Sequence, residues 1–225
     1  MSGREAILGR LKRRLAREGD LEAARAGEVM RRLEEAPAGI VPARGQLPDR
    51  ERVALFERMA EAVQASVEHV PRMADVPKAI AAQLRERNLP AAVRIGADES
   101  LAAMPWEKAA PMEVRHGPSD GKDLAAVSHA LAGIAETGTL VLASGADNPT
   151  TLNFLPDLHV IVIEAADIDG DMEAVLARIR AKFGKGLMPR ALNMVAGPSR
   201  SADIEQTLIL GAHGPRALHV VIVDG

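Results

Sequence analysis

The amino-acid sequence predicts an α/β fold with a mostly parallel sheet. From about residue 66 to the end, short apolar runs alternate with segments of helical periodicity, as in consecutive βαβ units. Two of these runs, at 138–144 and 158–164, are almost continuously apolar, as expected of strands buried on both faces. The composition is 47% hydrophobic with three Phe, one Trp and no Tyr, so we expect an aliphatic core.

The first 40 residues predict a helical extension that precedes the sheet. Apolar residues recur at helical spacing among many arginines: Ile7, Leu8, Leu11 and Leu15. Such a basic helix suits an acidic partner or a membrane surface; alternatively, it has a solvated face and packs against its own domain or a sister subunit. The second interpretation is favoured because acidic residues follow closely and nearly cancel the charge.

Residues 36–48 predict a linker, since they contain three prolines and two glycines. We therefore expect two parts: an N-terminal helical extension at 1–40 and a single α/β domain at 41–225.

In the first half of the α/β domain, each element has its own signal. An apolar stripe predicts a helix over 49–64. Pro77 lacks an N–H and suits the first turn of a second helix over 74–88. The other predicted elements of this half are strand 66–70, strand 91–96, short helix 98–104 and strand 112–117.

The second half continues the alternation after the two apolar strands. Acidic residues begin and basic residues end the segment 167–184, which predicts a helix aligned with its dipole. After it we expect a strand at 191–197, the start of a helix at 201–208 and a final buried strand at 217–223.

The chain contains no cysteine. Disulfides, cysteine-ligated zinc, cysteine nucleophiles and thiolate-bound iron–sulfur clusters are therefore excluded. The six histidines show no metal-site spacing with carboxylates, and no G-x-G-x-x-G motif follows a predicted strand. We expect neither a bound metal nor a cofactor.

Nucleic acid and membrane spans are also unexpected. The net charge of −3 provides no basic field for a phosphate backbone, and four aromatic residues are too few for base stacking. No apolar stretch reaches the roughly 20 residues of a transmembrane helix, and the N-terminus lacks the apolar run of a secretory signal. The sequence thus predicts a cytoplasmic protein without a transmembrane segment.

Three loops combine polar side chains with glycine near predicted strands, where ligands gather in open α/β sheets. The first loop contains Gly197, Ser199, Arg200, Ser201, Asp203 and Glu205. Free N–H groups at a helix start beside Arg200 suit a carboxylate or phosphate. In the simpler and favoured interpretation, Ser201 or Asp203 only caps the helix, and the acidic residues offset the dipole that an anion would seek.

The second loop contains Glu136, Thr137, Gly138 and Thr139, directly before a buried strand. A partly desolvated Glu136 suits a general base, and the hydroxyls suit substrate positioning. The alternative is a tight turn in which Gly138 supplies backbone freedom. The sequence favours neither interpretation.

The third loop, at 211–215, places His213 beside Gly214. We expect His213 to be accessible, and an imidazole titrates near neutral pH. His213 and Glu136 are thus the candidate catalytic residues, whereas the other loop residues are candidate ligand-binding positions. The simpler interpretation of this loop is a turn before the last strand.

Four segments that include these loops occur in order: AETGTLVL at 135–142, LPDLHV at 155–160, GPSRSADIE at 197–205 and LGAHGP at 210–215. Together they resemble the lactate utilization protein C family, which belongs to the LUD-domain proteins. The resemblance runs from residue 135 onward, and the preceding residues show only the general layout of the family. Its motif positions include all the loop residues named above except Ser201.

The resemblance implies a three-layer α/β/α sandwich similar to the NagB/RpiA/CoA-transferase-like fold. Family members act with two iron–sulfur partner proteins in oxidising L-lactate to pyruvate, and the partners hold the cluster cysteines. It therefore implies a non-redox subunit or accessory protein of a lactate-oxidising complex. Two alternatives stay open: a free-standing enzyme that binds a small carboxylate, phosphate or CoA-type ligand at the loops, and a non-catalytic assembly module. Oligomerisation also stays open.

Overall fold

The computed structural model describes residues 3–15, 19–109, 111–202 and 208–225. The chain divides into two compact units, residues 1–40 and 41–225. The first unit contains two helices, α1 Gly3–Leu15 and α2 Gly19–Glu35.

The second unit contains the strands and the other helices. Its described strands are β1 Ser66–Val70, β2 Ala92–Ile95, β3 Glu113–His116, β4 Ala125–His129, β5 Ala132–Ile134, β6 Thr139–Ala143, β7 Leu158–Glu164, β8 Ile168–Asp169, β9 Leu192–Val195, β10 Arg200–Ala202, β11 Leu208–Leu210 and β12 Ala217–Val223. Its described α-helices are α3 Asp49–Ala62, α4 Val76–Glu86, α5 Glu99–Ala102, α6 Thr150–Phe154 and α7 Met172–Phe183. Short 3₁₀ turns lie at Ala43–Gly45, Met73–Asp75, Trp106–Lys108 and Ala165–Asp167.

The central sheet is parallel throughout, and within the described residues its strand order is β1-β12-β7-β4-β2-β3. Successive residues of a strand point to opposite faces, so both faces must be covered. On β7, Val160 and Val162 pack in the same cluster as Ile80 of α4, whereas Ile161 packs with Phe56 of α3. The predicted α/β fold, with helices on both sides of a mostly parallel sheet, is confirmed.

A second sheet, in the order β8-β5-β6-β9, lies on the α3 side of the central sheet. Its β5–β6 and β6–β9 pairs are antiparallel. Leu140 of β6 belongs to the cluster facing the central sheet, whereas Val141 packs with Val175 and Ile179 of α7. This sheet thus adds a layer that we did not predict from the sequence, and α7 packs against it.

Two predicted helices differ from the structure. The helix predicted over 167–184 begins only at Met172, because the preceding residues form a 3₁₀ turn and β8, which pairs with β5. The Asp171 side chain then accepts a hydrogen bond from the Ala174 N–H at 3.0 Å and caps the helix. The helix predicted from 201 is wrong at its described ends, since β10 and β11 pair as antiparallel strands there; residues 203–207 lie outside the described part of the chain.

The end of the predicted linker belongs to the second unit. Gly45 is buried, and a Cβ added to it would lie 2.2 Å from the Gly170 carbonyl oxygen. The Gln46 amide donates a hydrogen bond to the Asp171 carboxylate at 2.7 Å. Gly45 and Gln46 are therefore packed against the loop before α7.

Candidate functional site

The loop that contains Glu136 is the turn between β5 and β6. Gly138 has φ +63°, and a Cβ added to it would lie 2.3 Å from the Ala60 nitrogen of α3. The Thr137 and Thr139 hydroxyls are 2.8 Å apart, so they hydrogen-bond each other. The geometry of a tight turn against α3 therefore accounts for Gly138 and both threonines.

Glu136 is buried and ion-paired. Its side chain is 7% exposed, and one carboxylate oxygen lies 3.3 Å from Nε of Arg44, which reaches it from the 3₁₀ turn at Ala43–Gly45. Its backbone N–H donates to the Gly170 carbonyl at 3.2 Å. Glu136 thus ties together three separate segments of the second unit.

The loop that begins at Gly197 packs against the C-terminal end of α3. Gly197 has φ +73°, and a Cβ added to it would lie 2.2 Å from the Val63 carbonyl oxygen. The exposed Arg200 donates a hydrogen bond from its guanidinium to the same carbonyl. A cation at a helix C-terminus interacts favourably with the helix dipole, so the position of Arg200 is explained without an anionic ligand.

The anion site predicted at a helix start in this loop is not supported by the described residues. Ser201 lies in β10, a strand rather than a helix turn. Asp203 and Glu205 lie outside the described residues. Residues 200–202 pair with β11 as an antiparallel strand, so their N–H groups do not form a helix N-terminus.

The loop that contains His213 joins the Gly197 loop through backbone hydrogen bonds. The Ser199 N–H donates to the Pro215 carbonyl, and the Gly211 N–H donates to the Ser199 carbonyl, both at 2.9 Å. A Cβ added to Gly214 would lie 3.1 Å from Cβ of Ser199. His213 itself is exposed.

The structure therefore connects two of the three predicted loops directly, and the third through α3. In the described part of the chain, no hydrogen bond or ion pair joins His213 to Glu136. These two candidate catalytic residues are not brought together as an acid–base pair.

A polar pocket of about 310 Å³ lies instead at the carboxyl ends of the central strands. Its polar lining residues are Asp98, His129, Asp147, Asn148, Asp167, Arg178 and Lys182. Three of them follow adjacent parallel strands: Asp167 follows β7, His129 ends β4, and Asp98 follows β2. The chain leaves β2 toward β3 on one side, whereas β4 leads toward β7 on the other, so strand order reverses between β2 and β4. Ligands bind at such a switch point in open α/β sheets, and we name this cavity the switch-point pocket.

Asp98 and His129 form an ion pair in the switch-point pocket. Oδ2 of Asp98 lies 3.4 Å from Nδ1 of His129, and Oδ1 accepts a hydrogen bond from the Leu101 N–H at 2.8 Å, which caps α5. The interaction with the Asp98 carboxylate raises the pKa of His129 despite the opposing effect of burial. Burial acts to raise the pKa of Asp98, but the hydrogen bonds from His129 and from the α5 backbone outweigh it and lower this pKa.

Two buried polar atoms in the pocket lack hydrogen-bond partners among the described residues: Nε2 of His129 and Oδ1 of Asn148. Asn148 is only 4% exposed, and its amide nitrogen donates to the Ala143 carbonyl at 3.3 Å, which leaves the amide oxygen free. Most buried polar groups in proteins are hydrogen-bonded, so two orphan atoms in one cavity indicate a polar ligand or water.

The two cations of the pocket lie one turn apart on α7 and differ in their pairing. Arg178 is held by Asp167 at 2.5 Å and by Asp169 at 3.1 Å. Lys182 is exposed, and within the described residues no carboxylate pairs with it. Lys182 is therefore the cation that is available to an anionic group entering the pocket.

A glycine beside the pocket shows how the loops close over the strand ends. A Cβ added to Gly96, directly after β2, would lie 1.9 Å from the Asp147 carbonyl oxygen. The next N–H, of Ala97, donates to the Ala146 carbonyl at 2.8 Å. The β6–α6 loop thus packs directly on the end of β2 and carries Asn148 into the pocket.

We did not identify the switch-point pocket from the sequence. Its signal was present, since Asp98 stands at a helix N-cap and His129 follows a short apolar run. Recognising the pocket also requires the knowledge that β2 and β4 are neighbours in the sheet, which the order of elements along the chain does not reveal.

Across the described residues, no group of three or more His, Asp or Glu side chains is arranged to hold a metal ion. Nor does any helix among them combine the length and apolarity that crossing a membrane requires.

Comparison with known proteins identifies the relatives of this chain. A family model described as "LUD domain" matches residues 53–223. Proteins named Lactate utilization protein C are 41% identical over 93 residues in Geobacillus sp. (strain WCH70) and 40% identical over 92 residues in Anoxybacillus flavithermus. These alignments cover 40% of this chain and 39% and 40% of the two relatives, so the chain matches about two fifths of their length.

A solved structure shows the same fold over more of the chain. The crystal structure of a DUF162 family protein from Deinococcus radiodurans is 26% identical and aligns with a TM-score of 0.54. The alignment covers 79% of this chain and 99% of that protein.

Proposed function

This chain belongs to the LUD-domain family, and from that premise we propose that it is a component of an L-lactate utilization system. The observation that carries the proposal is its similarity to several bacterial proteins named Lactate utilization protein C. Fold alone does not determine function, and the matched segment covers only part of those relatives, so the activity itself needs a direct test.

We propose that the chain acts without a redox centre of its own and that iron–sulfur partner proteins carry the electrons. Oxidation of lactate to pyruvate releases an electron pair and protons, and therefore requires an acceptor. Iron–sulfur clusters are held by cysteine thiolates, and this chain contains no cysteine. In this proposal, this chain binds the substrate and its partners transfer the electrons.

The three motif loops suit contact with such a partner better than catalysis. Their buried parts, Gly138 and Gly197, are accounted for by packing against α3. Ala212 and His213 are exposed at the tip of the third loop. Exposed loop residues that a rigid scaffold holds in place are typical of recognition surfaces.

We propose that the extension at 1–40 lies outside the LUD domain and is not needed for the role in lactate oxidation. The family match begins at residue 53, and residues 1–40 form a compact unit of their own. We therefore assign the role in lactate oxidation to the second unit. A shortened chain that begins at residue 41 should still recover the partner proteins and support lactate-dependent dye reduction.

The test is a pull-down of the tagged chain from lactate-grown cells, followed by a lactate-dependent dye-reduction assay on the recovered material. We expect iron–sulfur proteins to be recovered, with dye reduction that is lost when this chain is depleted. Cells grown without lactate provide the control for partner recovery. A chain that is recovered alone, with no lactate-dependent dye reduction, would contradict the proposal.

A variant in the third loop tests its role in partner recognition without changing the stability of the fold. His213→Glu changes an exposed side chain, so the free energy of unfolding should change by no more than about 0.5 kcal/mol. We expect this variant to recover less partner protein, whereas Lys185→Glu, at an exposed position outside the loop, recovers the wild-type amount. Equal recovery by both variants would remove the third loop from the contact surface.

A further inference from the structure

The switch-point pocket has the size and the position of a small-molecule site. Its volume of about 310 Å³ is at the lower end of the range of ligand pockets, which is about 300–1,000 Å³. The pocket is formed by loops that follow three adjacent parallel strands and by one face of α7. Among the residues that the structure describes, none of the three motif loops contributes to the lining.

The orphan atoms of the pocket specify a hydroxyl group. Oδ1 of Asn148 is an amide oxygen and can only accept a hydrogen bond, and it has no partner among the described residues, whereas the amide nitrogen donates to the Ala143 carbonyl. When the His129 ring is protonated, its Nδ1 faces Asp98 and its Nε2 becomes a donor. A hydroxyl donates one hydrogen bond and accepts another, so it matches both the acceptor on Asn148 and the donor on His129.

The charges of the pocket specify one acidic group rather than several. Lys182 has no carboxylate partner among the described residues, whereas Arg178 is already neutralised by Asp167 and Asp169. The lining also contains three carboxylates, of Asp98, Asp147 and Asp167. A polyphosphate or CoA-type ligand would encounter these like charges, which disfavour binding. A single carboxylate beside Lys182 meets less of this repulsion than a ligand with several negative charges.

We propose that the switch-point pocket binds a small organic acid that also carries a hydroxyl group. In this arrangement Lys182 pairs with the carboxylate, while Asn148 and His129 hydrogen-bond the hydroxyl. The choice of L-lactate as the probe rests on the proposed function, but the site itself rests on the geometry of the pocket.

The affinity of this site depends on pH through His129. The charged and titratable groups that face its ring come from the β2–α5 loop, the β6–α6 loop, the end of β7 and α7: Asp98, Asp147, Glu164, Asp167, Arg178 and Lys182. With His129 protonated, the formal charges of the seven polar lining residues cancel; with His129 neutral, they sum to one negative charge. The bound acid is therefore held more weakly when His129 loses its proton.

The experiment is isothermal titration calorimetry of the purified full chain with L-lactate, at about pH 6 and about pH 8. We expect saturable binding that is weaker at the higher pH. Lys182→Gln and His129→Gln should each weaken binding about 10-fold, which corresponds to about 1.4 kcal/mol. Propionate, which is lactate without the hydroxyl, should bind about 10-fold more weakly than L-lactate.

Matched control variants distinguish the loss of a pocket contact from a general change in charge or folding. Lys185→Gln removes an exposed lysine near the same end of α7 but outside the lining, and His116→Gln removes an exposed histidine outside it. Both should bind L-lactate as the wild type does. Circular dichroism checks that His129→Gln is folded; Lys182 is exposed, so its substitution tests the site without affecting the core.

Three results would overturn the proposal: no saturable heat with L-lactate at either pH, equal affinities of Lys182→Gln and Lys185→Gln, or propionate binding as tightly as L-lactate. Failure here is separable from failure of the proposed function. Binding without partner recovery contradicts only the lactate-oxidising assembly, whereas an active assembly without binding by this chain contradicts only the pocket.

Discussion

Oδ2 of Asp98 lies 3.4 Å from Nδ1 of His129, and Oδ1 of the same carboxylate caps α5 through the Leu101 N–H. Asp98 follows β2 and His129 ends β4, so the pair connects the two strands between which the strand order reverses. One carboxylate thus fixes a helix start and orients an imidazole at the position where α/β sheets bind ligands.

Asp98→Asn should lower the pKa of His129, because the carboxylate that raises it is removed while burial, which lowers it, stays. Asn is as good an N-cap as Asp, so the α5 cap is retained. NMR titration of the His129 ring in the wild type and in the variant measures the change. A His129 titration that is the same in both proteins would contradict the importance of this pair.

The same pair contributes to stability within a defined pH window. The pKa of His129 is raised on folding, so its contribution is complete below about 6.5 and is lost as the pH rises through the folded value. The pKa of Asp98 is lowered, so its contribution is complete above about 3.9 and is lost as the pH falls through the folded value. The stability difference between wild type and Asp98→Asn, measured by urea unfolding, should therefore be largest between about pH 4 and 6.5. A difference that does not vary with pH would contradict this expectation.

Gly138→Ala should destabilise the protein by about 3 kcal/mol or more, because it combines a positive φ with a steric clash against α3. Gly121→Ala is the matched control, since Gly121 also has a positive φ but a Cβ there has no heavy atom within 4 Å. Its cost should be about 1 kcal/mol, from backbone strain alone. Urea unfolding of both variants measures the two effects, and equal costs would mean that close packing on α3 is unimportant.

Arg44→Ala should cost about 1–3 kcal/mol, because it leaves the buried Glu136 carboxylate without its cation. In the Glu136→Gln background, Arg44→Ala should lower the free energy of unfolding by a smaller amount, because the neutral Gln side chain needs no positive partner. A double-mutant cycle measured by urea unfolding gives the interaction energy. Additive effects of the two substitutions would show that the 3.3 Å ion pair does not hold the linker end in place.

His159 should make the protein less stable in acid. It is fully buried, its Nε2 lies 3.0 Å from the Ser128 hydroxyl, and burial lowers its pKa to about 3. Between about pH 6.5 and that value the unfolded chain binds a proton that the folded chain does not, so stability falls with pH by up to about 1.4 kcal/mol per unit.

His159→Gln removes the group that binds a proton in the unfolded chain but not in the folded chain. Unfolding free energies measured from about pH 6.5 to about pH 4.5 should therefore fall less steeply in the variant than in the wild type. Parallel curves for the two proteins would indicate that His159 is protonated in the folded state.

The sequence predicts the apolar strands best. β1, β7 and β12 have the bounds that were expected, because runs such as LHVIVIE combine β-branched residues with burial on both faces. β4 was missed, since its sequence AAVSH contains two alanines and only one β-branched residue. The ends of the helix over 167–184 were harder to place, because only the Asp171 cap distinguishes its start from the preceding acidic residues.

The site depends on contacts that chain order does not contain. Gly138 and Gly197 stand in motifs that the sequence does reveal, and α3 corresponds to the helix predicted over 49–64, but only the structure shows that both glycines pack against its C-terminal end. Asp98 and His129 are 31 positions apart and meet because β2 and β4 are neighbours in the sheet. Strand order is fixed by packing of the whole unit, and local pattern does not encode it.

The most direct test of the account is the NMR titration of the His129 ring in the wild-type chain, with and without saturating L-lactate. If the switch-point pocket holds a hydroxy acid against a protonated imidazole, the bound ligand should raise the pKa of His129 further. A His129 titration curve that is identical with and without L-lactate would contradict the central claim that this pocket is the functional site.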